Sequence, residues 1–191
     1  MKLIYLHQYF KKIEEPGGHR SYYLAKHLSK LHKVYVITTR NKNKNNKIIE
    51  REIYNNINLI YIQIFYSNKM RFYNRILSFI KFSFLSTFLL IKEKKIDLII
   101  ATSTPLTIGI GPLILNLFKK QKFIFEVRDL WPDIPIKIGI IKNIIFKKIL
   151  LYFEKTVYQK ASAIIALSPP MKDKIISKGI NENKIFVIPN I

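Results

Sequence analysis

Residues 126–133, EVRDLWPD, place an arginine, two further carboxylates and the chain's only tryptophan directly after an apolar run. A guanidinium at Arg128 can grip a phosphate or carboxylate through a forked pair of hydrogen bonds, and Asp129 can accept a proton or hold a sugar hydroxyl. The same residues also suit a structural role, with Arg128 paired to Asp129 or Asp133 and Trp131 filling the core. A second group, EPGGHR at 15–20, puts Gly17 and Gly18 just before a helical pattern. Two glycines there let the backbone approach a ligand and turn N–H groups, with the positive end of the helix, toward a phosphate; they equally make a plain tight turn. His19 and Arg20 fall on the first helical turn, where either can meet an anion or remain solvated. A third stretch, Ser103-Thr104-Pro105, sits at the end of another apolar run.

Other chemistries are excluded or left without support. The chain has no cysteine, which rules out disulfides, thiolate zinc sites and cysteine nucleophiles, and fits a reducing compartment. Its four histidines, His7, His19, His27 and His32, show no metal-ligand spacing, so no metal site is expected. The net charge of +21 attracts nucleic acid, anionic lipid or phosphorylated substrates without choosing among them. Runs such as RNKNKNNKII (40–49) also fit an AT-rich coding bias. With no reader motif for nucleic acid and with aromatics lying in apolar segments, a nucleic-acid-binding module is disfavoured.

The elements that must position these residues follow from periodicity. At 191 residues and 49% hydrophobic content the chain suits one domain with a core. The opening KLIYL reads as a strand, since the apolar stretch is too short for a secretory signal. Leu24, Leu28 and Leu31 recur at helical spacing, HKVYVITT (32–39) is a second strand, and the Asn/Lys run after it is a solvated loop. Two strands then flank the Asn-Asn pair at 55–56 as a hairpin at one sheet edge. A long helix is expected over 68–95, a strand over DLIIATS (97–103), and a helix over 103–120 with Thr104 as its N-cap. KFIFEV forms the next strand, RDLWPDIP (128–135) an irregular loop, and 140–160 a helix. ASAIIAL is a strand, SPPMKDKIISKG a helix capped by Ser168 and closed by Gly179, and KIFVIPN the last strand.

Alternating strands and helices imply an α/β, Rossmann-like, doubly wound and mostly parallel sheet with helices on both faces. Ligands collect at the carboxyl ends of its strands, which singles out the loops at 7–20, 102–105 and 128–135. Within the long helix, Arg71, Arg75 and Lys81 interrupt the apolar run, which argues against a membrane span. The helix reads as a core element, as a basic amphipathic surface for anionic lipid, or as both.

In this order, EPGGHR, RSYYLAKHLSK, HKVYVITT, ATSTP, EVRDLWPD and ASAIIALSPPMKD resemble the N-terminal half of the family 4 glycosyltransferases, retaining enzymes of the GT-B architecture. VRDLWPD is similar to the branch that builds bacterial surface polysaccharides such as O-antigen, capsule and lipopolysaccharide. The resemblance implies that residues 1–191 are the acceptor-side Rossmann-like domain of a truncated or split enzyme, because the family's VIPNG crossover into a second, donor-binding domain appears here as VIPN-Ile191. It further implies a nucleotide-sugar donor used as substrate, no cofactor, and a polyprenyl-diphosphate-linked or saccharide acceptor. The expected location is the inner face of the cytoplasmic membrane, with a separate C-terminal-half polypeptide as partner. Gly17, Gly18, Arg20, Ser103, Thr104, Arg128 and Asp129 would then bind substrate. Many members carry histidine where Arg128 stands, so Arg128 is assigned to positioning and the catalytic residues are left unassigned. The alternative is a non-catalytic remnant or binding partner that needs a second polypeptide.

Overall fold

Brief apolar runs, too short for helices and rich in isoleucine, form the strands of one eight-stranded sheet. The computed structural model describes residues 1–41, 47–67 and 70–190. The strands are β1 (Lys2–Leu6), β2 (Lys33–Arg40), β3 (Ile49–Tyr54), β4 (Ile57–Gln63), β5 (Leu98–Thr102), β6 (Phe123–Val127), β7 (Ala163–Ala166) and β8 (Ile185–Val187), in the order β3-β4-β2-β1-β5-β6-β7-β8. All neighbours pair in parallel except β3 with β4. That hairpin lies at the expected edge, and its turn residues Asn55 and Asn56 take φ of 47° and 68°, the left-handed pair that a tight hairpin turn requires. Most of the Asn/Lys loop, residues 42–46, lies outside the described residues, as do 68–69 at the expected start of the long helix and Ile191.

The helices are α1 (Arg20–Leu28), α2 (Phe72–Lys92), α3 (Ile110–Lys119), α4 (Asp133–Lys137), α5 (Ile144–Lys160) and α6 (Pro169–Ile176). Alternation along the strands splits the core in two. Leu3 and Tyr5 of β1 join Tyr22 and Ala25 of α1 on one face. Ile4 and Leu6 join Phe82 and Leu90 of α2, Leu115 of α3, Val157 of α5 and Ile175 of α6 on the other.

Several helix boundaries differ from expectation for identifiable reasons. The helix expected over 103–120 opens instead with a 3₁₀ turn at Leu106–Gly109 before α3, and no side chain caps it. Within the expected loop 128–135, Asp133 starts the short helix α4. Asn143 delays α5 by accepting a hydrogen bond from the Phe146 amide at 3.0 Å. Ser168 does cap α6, accepting from the Met171 amide at 3.4 Å, and Gly179 follows it with φ of 82°.

The approach of α3 to α2 depends on Gly111, where a Cβ would lie 2.8 Å from Thr87 Oγ1 and 3.0 Å from Leu90 Cδ1. Replacing Gly111 with valine is therefore expected to force the two helices apart and destabilise the domain by about 1–3 kcal/mol, read as a lowered midpoint in urea denaturation.

Candidate active-site cleft

Because the strands are parallel, the loops that leave β1, β5 and β6 emerge on one edge. The chain order reverses between β1 and β5, the switch point where open α/β sheets take their ligands. Three of the predicted segments meet there. The Arg128 amide donates to Ser103 Oγ at 2.9 Å, and Thr104 Oγ1 donates to Asp129 Oδ2 at 2.6 Å. Gly18 faces the Arg128 guanidinium, whose Nη2 lies 3.9 Å from where a Cβ would stand. Gly17 has φ of 138°, a conformation that only glycine adopts without strain. No side chain caps the N-terminus of α1, which follows this loop.

Thr104 is not the helix cap that the sequence implies. It takes φ of 94°, costly for a β-branched residue, and its hydroxyl holds Asp129 across the cleft. The structural pairing of Arg128 with Asp129 or Asp133 is also absent: among the described residues Arg128 makes no ion pair, and Asp133 instead lies 3.0 Å from Lys178 Nζ. Trp131 packs against the core beside Leu130.

Arg20 has its guanidinium engaged within the protein. Its Nε donates at 2.8 Å to the fully buried Glu126, while Nη1 and Nη2 donate to the carbonyls of Pro189 and Ile188 at 2.5 and 2.9 Å. Glu126 also accepts from Thr102 Oγ1 at 2.6 Å and from the Tyr5 hydroxyl at 3.2 Å. Burial, reinforced by the Glu126 charge, holds the Tyr5 phenol protonated well above its ordinary range.

The sequence singles out the loop at 7–20 but assigns no role there to His7 or Gln8. Among the described residues, buried His7 has no partner for Nδ1, and fully buried Gln8 has none for either atom of its side-chain amide. Unpartnered polar groups of this kind are uncommon in protein interiors. Their one signal in the sequence was a His-Gln pair ending an apolar strand at the ligand edge. Burial, with the Arg128 charge second, pushes the His7 pKa down to about 3. Beside the cleft, toward β2 and β4, a cavity of about 700 Å³ is lined by Gln8, Tyr9, Lys11, Arg40, Tyr61 and Tyr66. Arg40 lies 3.6 Å over the Tyr61 ring and is neutralised by Glu50 and Glu52 at 2.9 and 3.0 Å.

This sheet with its ligand edge at the β1/β5 switch is one half of the GT-B architecture, as its structural neighbours show. The chain belongs to Glycosyltransferase Family 4, whose model matches residues 18–191. No curated protein sequence matches it significantly. Similar solved structures include Anabaena HepE in complex with UDP, at 15% identity and a TM-score of 0.54, covering 100% of this chain and 44% of HepE. Sucrose-phosphate synthase from Thermosynechococcus elongatus aligns at 12% identity and a TM-score of 0.63, covering 98% of this chain and 47% of the synthase. UDP-GlcNAc 2-epimerase from Methanocaldococcus jannaschii aligns at 16% identity and a TM-score of 0.56, over 100% of this chain and 46% of the epimerase. The chain thus spans under half the length of each of these three proteins, and since the epimerase shares the fold, it is the family match that carries the transferase class.

Two outcomes follow. Arg20→Leu would strand the Glu126 carboxylate in the core and is expected to cost roughly 3–5 kcal/mol of stability, measurable by urea denaturation. For His7 the folded pKa lies below the unfolded value, so the unfolded chain binds the extra proton between pH 6.5 and about 3. The stability that His7 contributes is therefore complete above pH 6.5 and falls on acidification by about 1.4 kcal/mol per pH unit. Denaturation curves at pH 7 and pH 5 should show this loss in the wild type and a smaller one in His7→Gln.

Proposed function

We propose that this chain is the acceptor-side half of a retaining glycosyltransferase that moves a sugar from a nucleotide-sugar donor to a polyprenyl-diphosphate-linked or saccharide acceptor in bacterial surface-polysaccharide synthesis. A donor-binding domain, joined or separate, faces the cleft and supplies most of the grip on the nucleotide. The observation that carries the reading is the convergence of Gly17-Gly18, Ser103-Thr104 and Arg128-Asp129 at one sheet edge, with Arg128 free of any acidic partner among the described residues. The family match, and the UDP bound by HepE, support a nucleotide-sugar donor.

In this reading the bond from the sugar C1 to the donor diphosphate breaks with its electron pair leaving on phosphate. The acceptor hydroxyl oxygen bonds to C1 on the same face and gives its proton to the departing phosphate. Arg128 and the N–H groups at Gly17-Gly18 face the charge that develops on the diphosphate, where preorganised donors act most strongly. Asp129, oriented by Thr104, holds a sugar hydroxyl. The cavity beside the cleft, with its tyrosines and the unpaired Gln8 amide, receives the sugar portion of the acceptor, because its arginine is already neutralised and stacked. The reading calls for no metal or cofactor, and it places the enzyme at the inner face of the cytoplasmic membrane, where such acceptors are displayed.

With a donor-side domain present, by fusion or in trans, Arg128→Ala and Asp129→Asn are each expected to lower transfer on the order of 10²-fold. Their unfolding midpoints should stay near the wild-type value, since neither residue is part of a buried ion pair. Radiolabelled-sugar transfer and thermal melts on the same preparations check this. Unchanged transfer by both variants would remove the cleft assignment.

A further inference from the structure

Helix α2 is apolar on both faces: Phe82, Leu89 and Leu90 are buried in the core, and large apolar residues also face outward. Ser78, Ser83, Ser86 and Thr87 are buried; the Ser78 hydroxyl donates to the Asn74 carbonyl, and the Ser86 and Thr87 hydroxyls donate to the Ser83 carbonyl. The outward stripe instead carries Tyr73, Leu77, Ile80, Phe84, Phe88 and Ile91, with Phe84 73% exposed. A surface helix normally places its apolar stripe inward and its polar residues outward. The segment Tyr73–Lys92 is long and apolar enough to cross a membrane by composition, yet Phe82 and Leu90 anchor it to the sheet, so it cannot leave the fold as a span.

Exposed apolar residues also stand on the neighbouring helices of the same layer. On α3, Phe118 is 83% exposed, and on α5 the residues Ile145, Ile149 and Tyr152 point outward. Soluble monomers rarely leave so many large apolar side chains exposed on one helical layer without a partner. The charge accompanying it has one sign. Helices α2 and α3 contain no acidic residue, and the single one in α5, Glu154, is buried against Lys178 Nζ at 2.5 Å. Lys81, Lys92, Lys119, Lys148 and Lys155 stand exposed among the apolar residues, and the Lys92 ammonium lies 4.2 Å from the Phe88 ring centroid.

We propose that the outer face of the α2, α3 and α5 layer is a docking surface for an anionic lipid bilayer, with Phe84, Phe88 and Phe118 entering the headgroup boundary and the lysines meeting lipid phosphates. Aromatic and aliphatic residues interleaved with lysine on one helical face are the pattern that interfacial binding requires. A protein partner would need acidic residues matched to these scattered lysines, whereas a fluid anionic surface matches them in any arrangement. The N-terminal end of α2 also abuts the cavity, since Arg75 lies 6.0 Å from the Tyr66 ring centroid. Docking therefore brings that cavity to the membrane surface, which serves a lipid-linked acceptor; this last link alone rests on the transferase reading.

Flotation of the chain with vesicles of phosphatidylglycerol and phosphatidylcholine, against vesicles of phosphatidylcholine alone, tests the surface without any sugar donor. The chain should float with the anionic vesicles, be partly released by salt, and bind neutral vesicles poorly. The double variant Phe84→Ser, Phe88→Ser should lose about ten-fold of the bound fraction while its far-ultraviolet circular dichroism stays unchanged, because both residues are exposed. Wild-type flotation by this variant, or equal binding to neutral vesicles, would overturn the proposal. So would a wild-type dimer in light scattering that the double variant splits, accompanied by no flotation. Unchanged transfer in both cleft variants with flotation intact would count against the transferase reading alone.

Discussion

The buried carboxylate of Glu126 is the constraint around which the ligand edge is arranged. A fully buried charge is tolerated only when paired and hydrogen-bonded, and Glu126 gathers its partners from three other elements: Arg20 of α1, Tyr5 of β1 and Thr102 of β5. Satisfying one side chain on β6 therefore sets the loop after β1, the end of β5 and the start of the RDLWPD loop in fixed relation. Arg20 extends the same tie to the carbonyls of Ile188 and Pro189 beyond β8. Two residues past Glu126, Arg128 emerges into the cleft with no ion-pair partner among the described residues, so the charge at the floor is neutralised and the charge at the rim is not.

A second ionic cluster does for the outer side of the cleft what Glu126 does for its floor. Lys178, just past α6, holds Glu154 of α5 and Asp133 of α4. Burial pushes the Glu154 pKa up, and the Lys178 ammonium opposes that shift. With Asp133 held there, the loop that carries Arg128 and Asp129 is closed at its far end, and Trp131 seals the space between loop and core.

The helical layer on the opposite side of the core from α1 combines two demands that ordinarily conflict. Its inner residues must be small where α2 and α3 approach, which accounts for Gly111 against Thr87. Its outer residues are large and apolar. Together they leave α2 apolar on both faces, and its N-terminal end lies against the cavity that opens beside the cleft. The proposed recognition at the sheet edge and the proposed attachment at the helical face would share this one element.

The sequence by itself determined the alternation of strands and helices, the edge hairpin and the parallel order, because isoleucine-rich runs, the Asn-Asn turn and the Ser168 cap are local signals read over a few residues. It also determined the family, through motifs spread along most of the chain. It placed Gly17, Gly18, Ser103, Thr104, Arg128 and Asp129 at one edge, since parallel strands send all such loops the same way. Only the tertiary structure decided which charge meets which. Arg20 and Glu126 are 106 residues apart, and Arg20 closes on Glu126 rather than standing ready for a ligand. Thr104 leaves its capping role because Asp129 comes within reach through β5–β6 pairing. The buried Gln8 side-chain amide is left without a partner among the described residues, and α2 turns small side chains inward where α3 lies close against it. Each of these depends on the distance between residues remote in the chain, a quantity that periodicity and propensity do not contain.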